Sequence, residues 1–393
     1  MSKVLPEEPI RRLSRRRALV AMAATGAAVP MLGAAPATAA PASDILYIGT
    51  WGRAEVHGAL FDSAAGTLTP TGVVAAVSSS WSARHPVLPV LYVAGGDAGG
   101  IVYSYRIDPR TGGLTRTSEV RTGGTGNAGV LSHIAVDQPS QTLLIANFAA
   151  GLVAAVPIGD DGSLGESLSI VQDTGSGPTP RQGGPHPHHI AVDPTGKYAL
   201  VADFGADRIF VYDFDRATRA LSAHLDGPRY YATAAGSGPR RVAFHPNGHS
   251  LYLMNELTAD IQVLEWNPST RALTHRRSVS TDSPAFTGAR SAAEMALSDD
   301  GRFLYVSNRG ENTLVVYAID PVTALPSPVQ RISCAGTLPW TFSIHRSGRW
   351  MFVANQASNT VDLFGIDRGS GRLTGTGTSI AVPAPDGITF CYR

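Results

Sequence analysis

One short segment recurs seven times along this chain of 393 residues. Every copy is apolar and ends in a small or polar residue: LYIGT, LYVAG, LLIAN, ALVAD, LYLMN, LYVSN and MFVAN. Their central residues are Ile48, Val93, Ile145, Val201, Leu253, Val306 and Val353, so successive copies lie 45–56 residues apart. A period of about 50 residues built from short alternating strands is typical of propeller blades. The sequence therefore predicts an all-β fold, a seven-bladed β-propeller with four antiparallel strands in each blade.

The turns and the chain end agree with a closed ring. A glycine stands five residues before the centre of four copies, at Gly196, Gly248, Gly301 and Gly348, where a tight hairpin needs a left-handed residue. The chain finishes with a lone inner strand, GITFCYR, whereas the copy at Ile48 has no inner strand before it. We expect the C-terminal strand to complete the first blade and close the ring, because closure removes a free sheet edge. An open solenoid of the same repeat leaves that last strand unexplained.

The N-terminal segment has the features of an export signal. Five arginines lie between Arg11 and Arg17, an uncharged stretch runs from Ala18 to Gly33, and Ala37-Thr38-Ala39 offers a cleavage site. The paired arginines resemble a twin-arginine signal. An ordinary secretory signal and an uncleaved anchor are the alternatives, although the apolar run is short for a membrane span. We therefore predict a signal peptide over residues 1–39, a propeller domain over 40–393, and a secreted or extracytoplasmic protein.

The charge and hydropathy of the chain indicate which classes of partner it can bind. The net charge is +1, and removal of residues 1–39 takes away six basic and two acidic groups, which leaves −3. A chain without a basic field is not expected to bind nucleic acid. No later stretch is long and apolar enough to span a bilayer. After cleavage we expect a monomer without a membrane partner.

The position of each residue relative to the centre of its repeat, which we call the repeat phase, predicts where the functional site lies. In a blade, the innermost strand begins and the next strand ends on the same face, at positions thirteen residues before the central residue and three residues after it. The first position holds Ser80, Ser132, His188, Arg240, Ala293 and Trp340, with Asp386 in the closing strand; the second holds Trp51, Gly96, Phe148, Phe204, Glu256, Arg309 and Gln356. We expect His188, Arg240, Glu256 and Arg309, from adjacent blades, to converge at one mouth of the channel. A base, an acid and two guanidiniums there predict an anion-binding site with proton-transfer groups, whereas each residue alone is typical of a solvated rim or a structural ion pair.

Further residues flank these positions. Candidate substrate-binding residues are His186, Arg241, Asn255, Asn308, Gln356 and Asp386. His186 and His188 alternate along one strand, but no third ligand is evident, so neither a metal nor a cofactor is predicted. His245 and His345 fall at hairpin turns on the opposite face, where we expect solvated side chains.

Four segments carry a family resemblance: GGPHPHHIAVDPTGKYALVADFGADRIFVYDF, GPRRVAFHPNGHSLYLMNE, AAEMALSDDGRFLYVSNRG and PWTFSIHRSGRWMFVANQ. They resemble the seven-bladed lactonase family, which includes propeller-type 6-phosphogluconolactonases and 3-carboxymuconate cyclases. The matching family positions fall on His188, Arg240, Glu256 and Arg309. Arg241 departs from the pattern, since many relatives have His there, and blade two lacks the usual turn.

The resemblance implies hydrolysis of a sugar-type or other anionic lactone as a small-molecule substrate. His188 or Glu256 would then take a proton from water, while Arg240 and Arg309 would hold the oxyanion or an anionic group of the substrate. Two alternatives stay open: a carboxymuconate-type lactonising cyclase, and a non-catalytic propeller that binds a ligand or a surface partner. Relatives that act on sugar phosphates work inside cells, so an exported chain favours an unphosphorylated or differently anionic lactone.

Overall fold

The computed structural model describes residues 43–96, 99–123, 129–223 and 229–393. The predicted signal peptide lies outside the described residues. Within them, 29 strands form seven antiparallel sheets, six of four strands and one of five. Two 3-10 helices, Gln138–Ser140 and Pro180–Gln182, interrupt the strand pattern, and no helix in these ranges is long and apolar enough to cross a membrane.

The strands are given blade by blade, from the channel outward. Blade one contains β29 (Pro385–Cys391), β1 (Asp44–Thr50), β2 (Val56–Asp62) and β3 (Thr67–Ala75). Blade two contains β4 (Trp81–Arg84), β5 (Val90–Ala94), β6 (Ile101–Ile107) and β7 (Leu114–Arg121). Blade three contains β8 (Leu131–Asp137), β9 (Thr142–Asn147), β10 (Leu152–Pro157) and β11 (Ser169–Gln172). Blade four contains β12 (Pro187–Val192), β13 (Tyr198–Asp203) and β14 (Arg208–Asp215), the last paired with both β15 (Ala220–Ser222) and β16 (Arg229–Ala232). Blade five contains β17 (Pro239–Phe244), β18 (Ser250–Asn255), β19 (Asp260–Asn267) and β20 (Ala272–Ser280). Blade six contains β21 (Ala292–Leu297), β22 (Phe303–Asn308), β23 (Thr313–Ile319) and β24 (Pro326–Ser333). Blade seven contains β25 (Pro339–Ile344), β26 (Trp350–Asn355), β27 (Thr360–Ile366) and β28 (Leu373–Ala381).

The C-terminal strand closes the ring. β29 pairs with β1, and Ile388 stands opposite Ile48 in that register. Side chains of these strands share an apolar cluster with Phe352 of blade seven. The predicted seven-bladed propeller, with the chain end as the inner strand of blade one, is therefore confirmed.

The seven repeated segments form the second strand of each blade, and they are almost entirely buried. Each one packs between neighbouring blades, as Leu253 of blade five does with Leu200 of blade four. Burial on both faces explains why these segments are continuously apolar instead of alternating. The four turn glycines before them have φ between +64° and +75°, as the repeat predicted.

One expectation about the opposite face was wrong. His345 is buried rather than solvated, because its Nε2 lies 2.9 Å from the Asp44 carboxylate of blade one. Its ring also meets Phe61 and Phe390 edge-on. His345 is thus part of the seam between the last and first blades.

Candidate active site

A β-bulge near the start of the inner strand recurs in blades three to seven. The register shifts between Leu131 and His133, Pro187 and His189, Pro239 and Arg241, Ala292 and Met295, and Pro339 and Thr341. The shift falls on the position thirteen residues before each repeat centre, the position of His188 and Arg240. A bulge places two successive side chains on one side of the sheet and re-aims them. Arg240 and Arg241 can both face the channel for this reason.

Glu256 is the centre of the predicted quartet and is fully buried. Arg240 Nη1 donates a hydrogen bond to its Oε2 over 2.8 Å. Nη2 of Arg309 and Nη2 of Arg181 lie 2.8 and 2.7 Å from its Oε1. Burial alone would raise the pKa of Glu256, but the guanidiniums of Arg309, Arg240 and Arg181 outweigh burial and lower this pKa to about 2. Glu256 is therefore an ionised anchor for three cations.

His188 completes the quartet through Arg240. Nη1 of Arg240 donates to Nε2 of His188, and Nε of Arg240 donates to the carbonyl oxygen of Ala293 over 2.6 Å. Burial, together with the nearby Arg240 and Arg241 charges, holds the pKa of His188 well below its usual range, so the imidazole is neutral. Burial lowers the pKa of Arg240 to about 9, which still leaves the guanidinium charged at neutral pH. The structure thus brings His188, Arg240, Glu256 and Arg309 together.

His186 lies beside this group, on the loop that enters blade four. Its ring stacks on Phe148 with 4.5 Å between centroids and 12° between planes. The same Phe148 ring meets His188 edge-on at 5.6 Å. The two imidazoles therefore flank a single aromatic ring at the channel mouth.

A second charged layer lies deeper in the channel, formed by the residues that follow the bulges. Arg241 is paired with Glu294, with Nη2 and Nε at 2.8 and 3.1 Å from Oε2, and its guanidinium lies 4.3 Å from the centre of the Trp81 ring. His133 and His189 pack ring to ring next to this pair, at 3.9 Å. Burial lowers the pKa of both imidazoles, which are therefore neutral.

Arg181 also belongs to the site, although its position in the chain does not match either repeat position used for the prediction. It lies in the helix Pro180–Gln182, within the connection between β11 of blade three and β12 of blade four. Gln182 anchors this helix by donating from Nε2 to the Phe204 carbonyl and to Asp207, each over 2.8 Å. The only signal in the sequence was the 56-residue step between Ile145 and Val201, the longest of the six.

Four of the predicted substrate-binding residues do not line the cavity at the channel mouth. Asn255 donates from Nδ2 to Asp260, and Asn308 donates to Thr281 and Asp282, so both amides brace turns of the scaffold. Gln356 donates its backbone N–H to the Leu338 carbonyl.

Asp386, the fourth, is buried in blade one. Its carboxyl lies against Gly49 and Ser79, a close approach that any side chain at position 49 would block. Burial raises the pKa of Asp386 well above its usual range, so its carboxyl is neutral. No arginine in the described ranges contributes to this shift.

A cavity of about 690 Å³ opens at this mouth of the channel. Its wall is formed by aromatic and aliphatic side chains and by a cluster of polar ones: Trp51, Ser80, Trp81, Val130, Leu131, Ser132, Phe148, Ala149, Pro180, Arg181, His186, His188, Arg240, Arg241 and Trp340. In and directly behind this wall, four guanidiniums face the carboxylates of Glu256 and Glu294, which leaves a net charge of +2. Among the described ranges, no group of three acidic, His or Cys side chains is placed to hold a metal ion. The arrangement suits an anionic organic ligand.

Comparisons with known proteins agree along the whole propeller. Residues 45–390 match the family model described as a lactonase, seven-bladed β-propeller. The chain is similar to a 6-phosphogluconolactonase of Bacillus subtilis (strain 168), 29% identical over 297 residues, or 76% of this chain and 82% of that protein. The solved structure of a periplasmic gluconolactonase of Pseudomonas aeruginosa is 31% identical, with a TM-score of 0.81 and coverage of 88% of this chain and 98% of that one. A solved protein of Lactobacillus plantarum is 29% identical, with a TM-score of 0.80 and coverage of 89% and 99%.

Proposed function

The chain belongs to the seven-bladed β-propeller lactonase family, and from this membership we propose that it hydrolyses the ester of an anionic lactone outside the cytoplasm. The observation that carries the proposal is the cavity lined by two imidazoles, behind whose wall the buried Glu256 holds three guanidiniums. Ester hydrolysis requires a proton acceptor for the attacking water and a cationic or hydrogen-bonding group where negative charge develops. The cavity provides both kinds of group.

Arg240 is the best placed group for the developing oxyanion. It lies on the cavity wall, is almost fully buried, and is held by Glu256 and the Ala293 carbonyl. A fixed, desolvated cation stabilises a transition state without reorganising, which is the main source of electrostatic catalysis. Arg181 is more exposed at the rim, where a guanidinium would bind a carboxylate or phosphate of the substrate.

The proposed substrate is anionic and need not carry phosphate. The net charge of +2 supports an acidic group, and the Trp51, Phe148 and Trp340 rings offer apolar faces to the carbon skeleton. The Pseudomonas aeruginosa relative is named a periplasmic gluconolactonase; gluconolactone is neutral, so this name supports a substrate without phosphate but not the acidic group. The Bacillus subtilis relative is named for the phosphorylated sugar.

A lactone panel tests the proposal. The processed protein is assayed on sugar lactones with and without phosphate and on aromatic-derived lactones, each acidic compound beside its neutral methyl ester or amide. Charge-assisted hydrogen bonds contribute about 1.5–3 kcal/mol each, so we expect kcat/KM for an acidic lactone to exceed that of its neutral counterpart by roughly 10- to 150-fold. Hydrolysis of none of these lactones would contradict the proposal, and strict dependence on phosphate would contradict the unphosphorylated substrate.

A further incubation tests the alternative function, a lactonising cyclase. In that reaction a carboxylate adds to an alkene, and an anion-binding, proton-transferring site serves this chemistry as well. Incubation with an unsaturated dicarboxylate, followed by detection of lactone, separates ring closure from hydrolysis. A non-catalytic propeller would bind without turning over any compound.

Export is the second part of the proposal, and the arginine-rich segment before the propeller supports it. Substitution of both Arg15 and Arg16 with Lys keeps the charge but removes the arginine pair that follows Ser14, which is the predicted twin-arginine motif. We expect the double variant to accumulate in the cytoplasm as an uncleaved precursor, measured by fractionation and mass spectrometry. Normal export of the double variant would contradict the twin-arginine route, whereas a wild-type protein that stays cytoplasmic would contradict export itself.

A further inference from the structure

A general base needs a lone pair that faces the substrate, and Glu256 does not lie in the cavity wall. Its Oε2 accepts a hydrogen bond from Arg240, and its Oε1 lies 2.7–2.8 Å from the guanidiniums of Arg181 and Arg309. A carboxylate that three cations stabilise is also a weak proton acceptor. Glu256 therefore holds the arginines in place and does not move the proton.

His188 has its lone pair occupied as well. The imidazole is neutral, and its Nε2 accepts a hydrogen bond from Arg240. The ring proton must then reside on Nδ1, because a neutral imidazole has one donor and one acceptor nitrogen. Nδ1 is itself buried and has no partner among the described residues.

His186 has the opposite arrangement. Its Nδ1 lies 2.8 Å from the backbone carbonyl oxygen of Phe148, which only accepts, so Nδ1 carries the proton. Nε2 is left with a lone pair and has no hydrogen-bond partner within the described ranges. The residue is half-buried and lies in the cavity wall. In catalytic histidines, a hydrogen bond from one ring nitrogen to a backbone carbonyl fixes the tautomer and orients the ring, which leaves the other nitrogen to accept a proton.

The main chain of His186 is also held on both sides. Its N–H donates to Asp203 Oδ1 over 2.8 Å, and its carbonyl accepts from the Phe204 N–H over 2.9 Å. Stacking on Phe148 fixes the plane of the ring. Proton transfer requires such fixed geometry, since small displacements cost large factors in rate.

We propose that His186 is the catalytic base of the lactonase reaction proposed above, acting through Nε2 on the attacking water. The water oxygen bonds to the lactone carbonyl carbon, His186 takes one water proton, and the carbonyl electron pair moves onto oxygen, towards Arg240. When the intermediate collapses, the ring C–O bond breaks, and the leaving alkoxide takes the proton back from His186. The products are a hydroxyl and a carboxylic acid, which ionises among the arginines. The Phe148 carbonyl stabilises the transient imidazolium through Nδ1–H.

The test replaces His186 with Gln, with His275→Gln as the matched control on the exposed outer strand of blade five. A general base contributes about 10²–10⁴ in rate, so we expect kcat of H186Q to fall by at least 100-fold with less than about a fivefold change in KM. We expect H275Q to match the wild type. A second variant, H186G, should regain activity on addition of imidazole, which a merely structural role would not allow.

The pH profile separates the two candidate imidazoles. Charged or titratable groups near His186 are Asp203 and Asp173 behind its backbone, His188 across Phe148, and Arg181 and Arg240 on the cavity wall. We expect the pH dependence of kcat/KM to change in H186Q and to be retained in H188Q.

The kinetic results distinguish the assignment of His186 from the lactonase proposal. An active wild type with a fully active H186Q, or a pH dependence of kcat/KM that changes only in H188Q, would overturn the assignment of His186 and leave the lactonase proposal intact. A wild type that hydrolyses no lactone would overturn both. Loss of kcat in H186Q together with rescue of H186G by imidazole would support both.

Discussion

Replacement of Glu256 with Gln is expected to lower the free energy of unfolding by about 3–5 kcal/mol, the usual result of removing one partner from a buried ion pair. The side chains of Arg240 and Arg309 are only 4% and 5% exposed, so the variant would leave two buried guanidiniums without a carboxylate. We expect kcat/KM to fall as well, because Arg240 loses the group that orients it. Chemical denaturation and kinetics on the same preparation measure the two effects.

The matched control is Glu265→Gln, which makes the same change in an exposed ion pair with Arg276 at 2.6 Å. Exposed pairs contribute about 0–1 kcal/mol, so this variant should unfold close to the wild type. A loss in E256Q no larger than that in E265Q would contradict the assignment of Glu256 as the anchor of the site.

The difference between wild type and E256Q should depend on pH in a defined direction. The pKa of Glu256 is lowered from 4.5 to about 2 in the folded protein. A lowered pKa means that the stabilising ionised form is fully present above pH 4.5 and is lost as the pH falls towards 2. The stability difference should therefore be constant from pH 5 to 8, because even pH 5 is about three units above that pKa. Below pH 5 the difference should shrink.

The fold could be predicted from the sequence because each blade repeats the same physical problem. A strand that is buried on both faces must be apolar along its whole length, and seven such strands at one spacing leave few architectures open. The position of His188, Arg240, Glu256 and Arg309 followed from the phase of the repeat alone. The structure brings these four residues together as that phase required.

Features outside the repeat could not be predicted in this way. The bulges add one residue to an inner strand without changing its apolar pattern, so no sequence pattern predicted that Arg241 and Glu294 would share the channel with Arg240. Arg181 lies in the connection between blades three and four, outside the repeated strands. The protonated nitrogen of His186 depends on a carbonyl of blade three, a contact between residues 38 positions apart.

Arg240→Lys is expected to reduce kcat by about 10²–10³, the usual loss when a preorganised oxyanion donor is removed. Lysine keeps the charge, but one ammonium cannot reproduce the planar fork that meets Glu256, His188 and the Ala293 carbonyl together. KM should change much less, because Arg181 and Arg241 remain on the cavity wall to bind the acidic group of the substrate. Steady-state kinetics on an acidic lactone from the panel measure both quantities.

Arg309→Lys is the matched comparison, since the same chemical change is made on the other side of Glu256. Arg309 contacts Glu256 at 2.8 Å and lies over the Trp340 ring at 4.5 Å, but it is not part of the cavity wall. We therefore expect R309K to lose stability and to reduce kcat by less than about tenfold. Equal losses of kcat in R240K and R309K would show that the two arginines act as one unit around Glu256. A rise in KM at constant kcat in R240K would instead assign Arg240 to ground-state binding of the substrate anion, and the oxyanion would then need another donor.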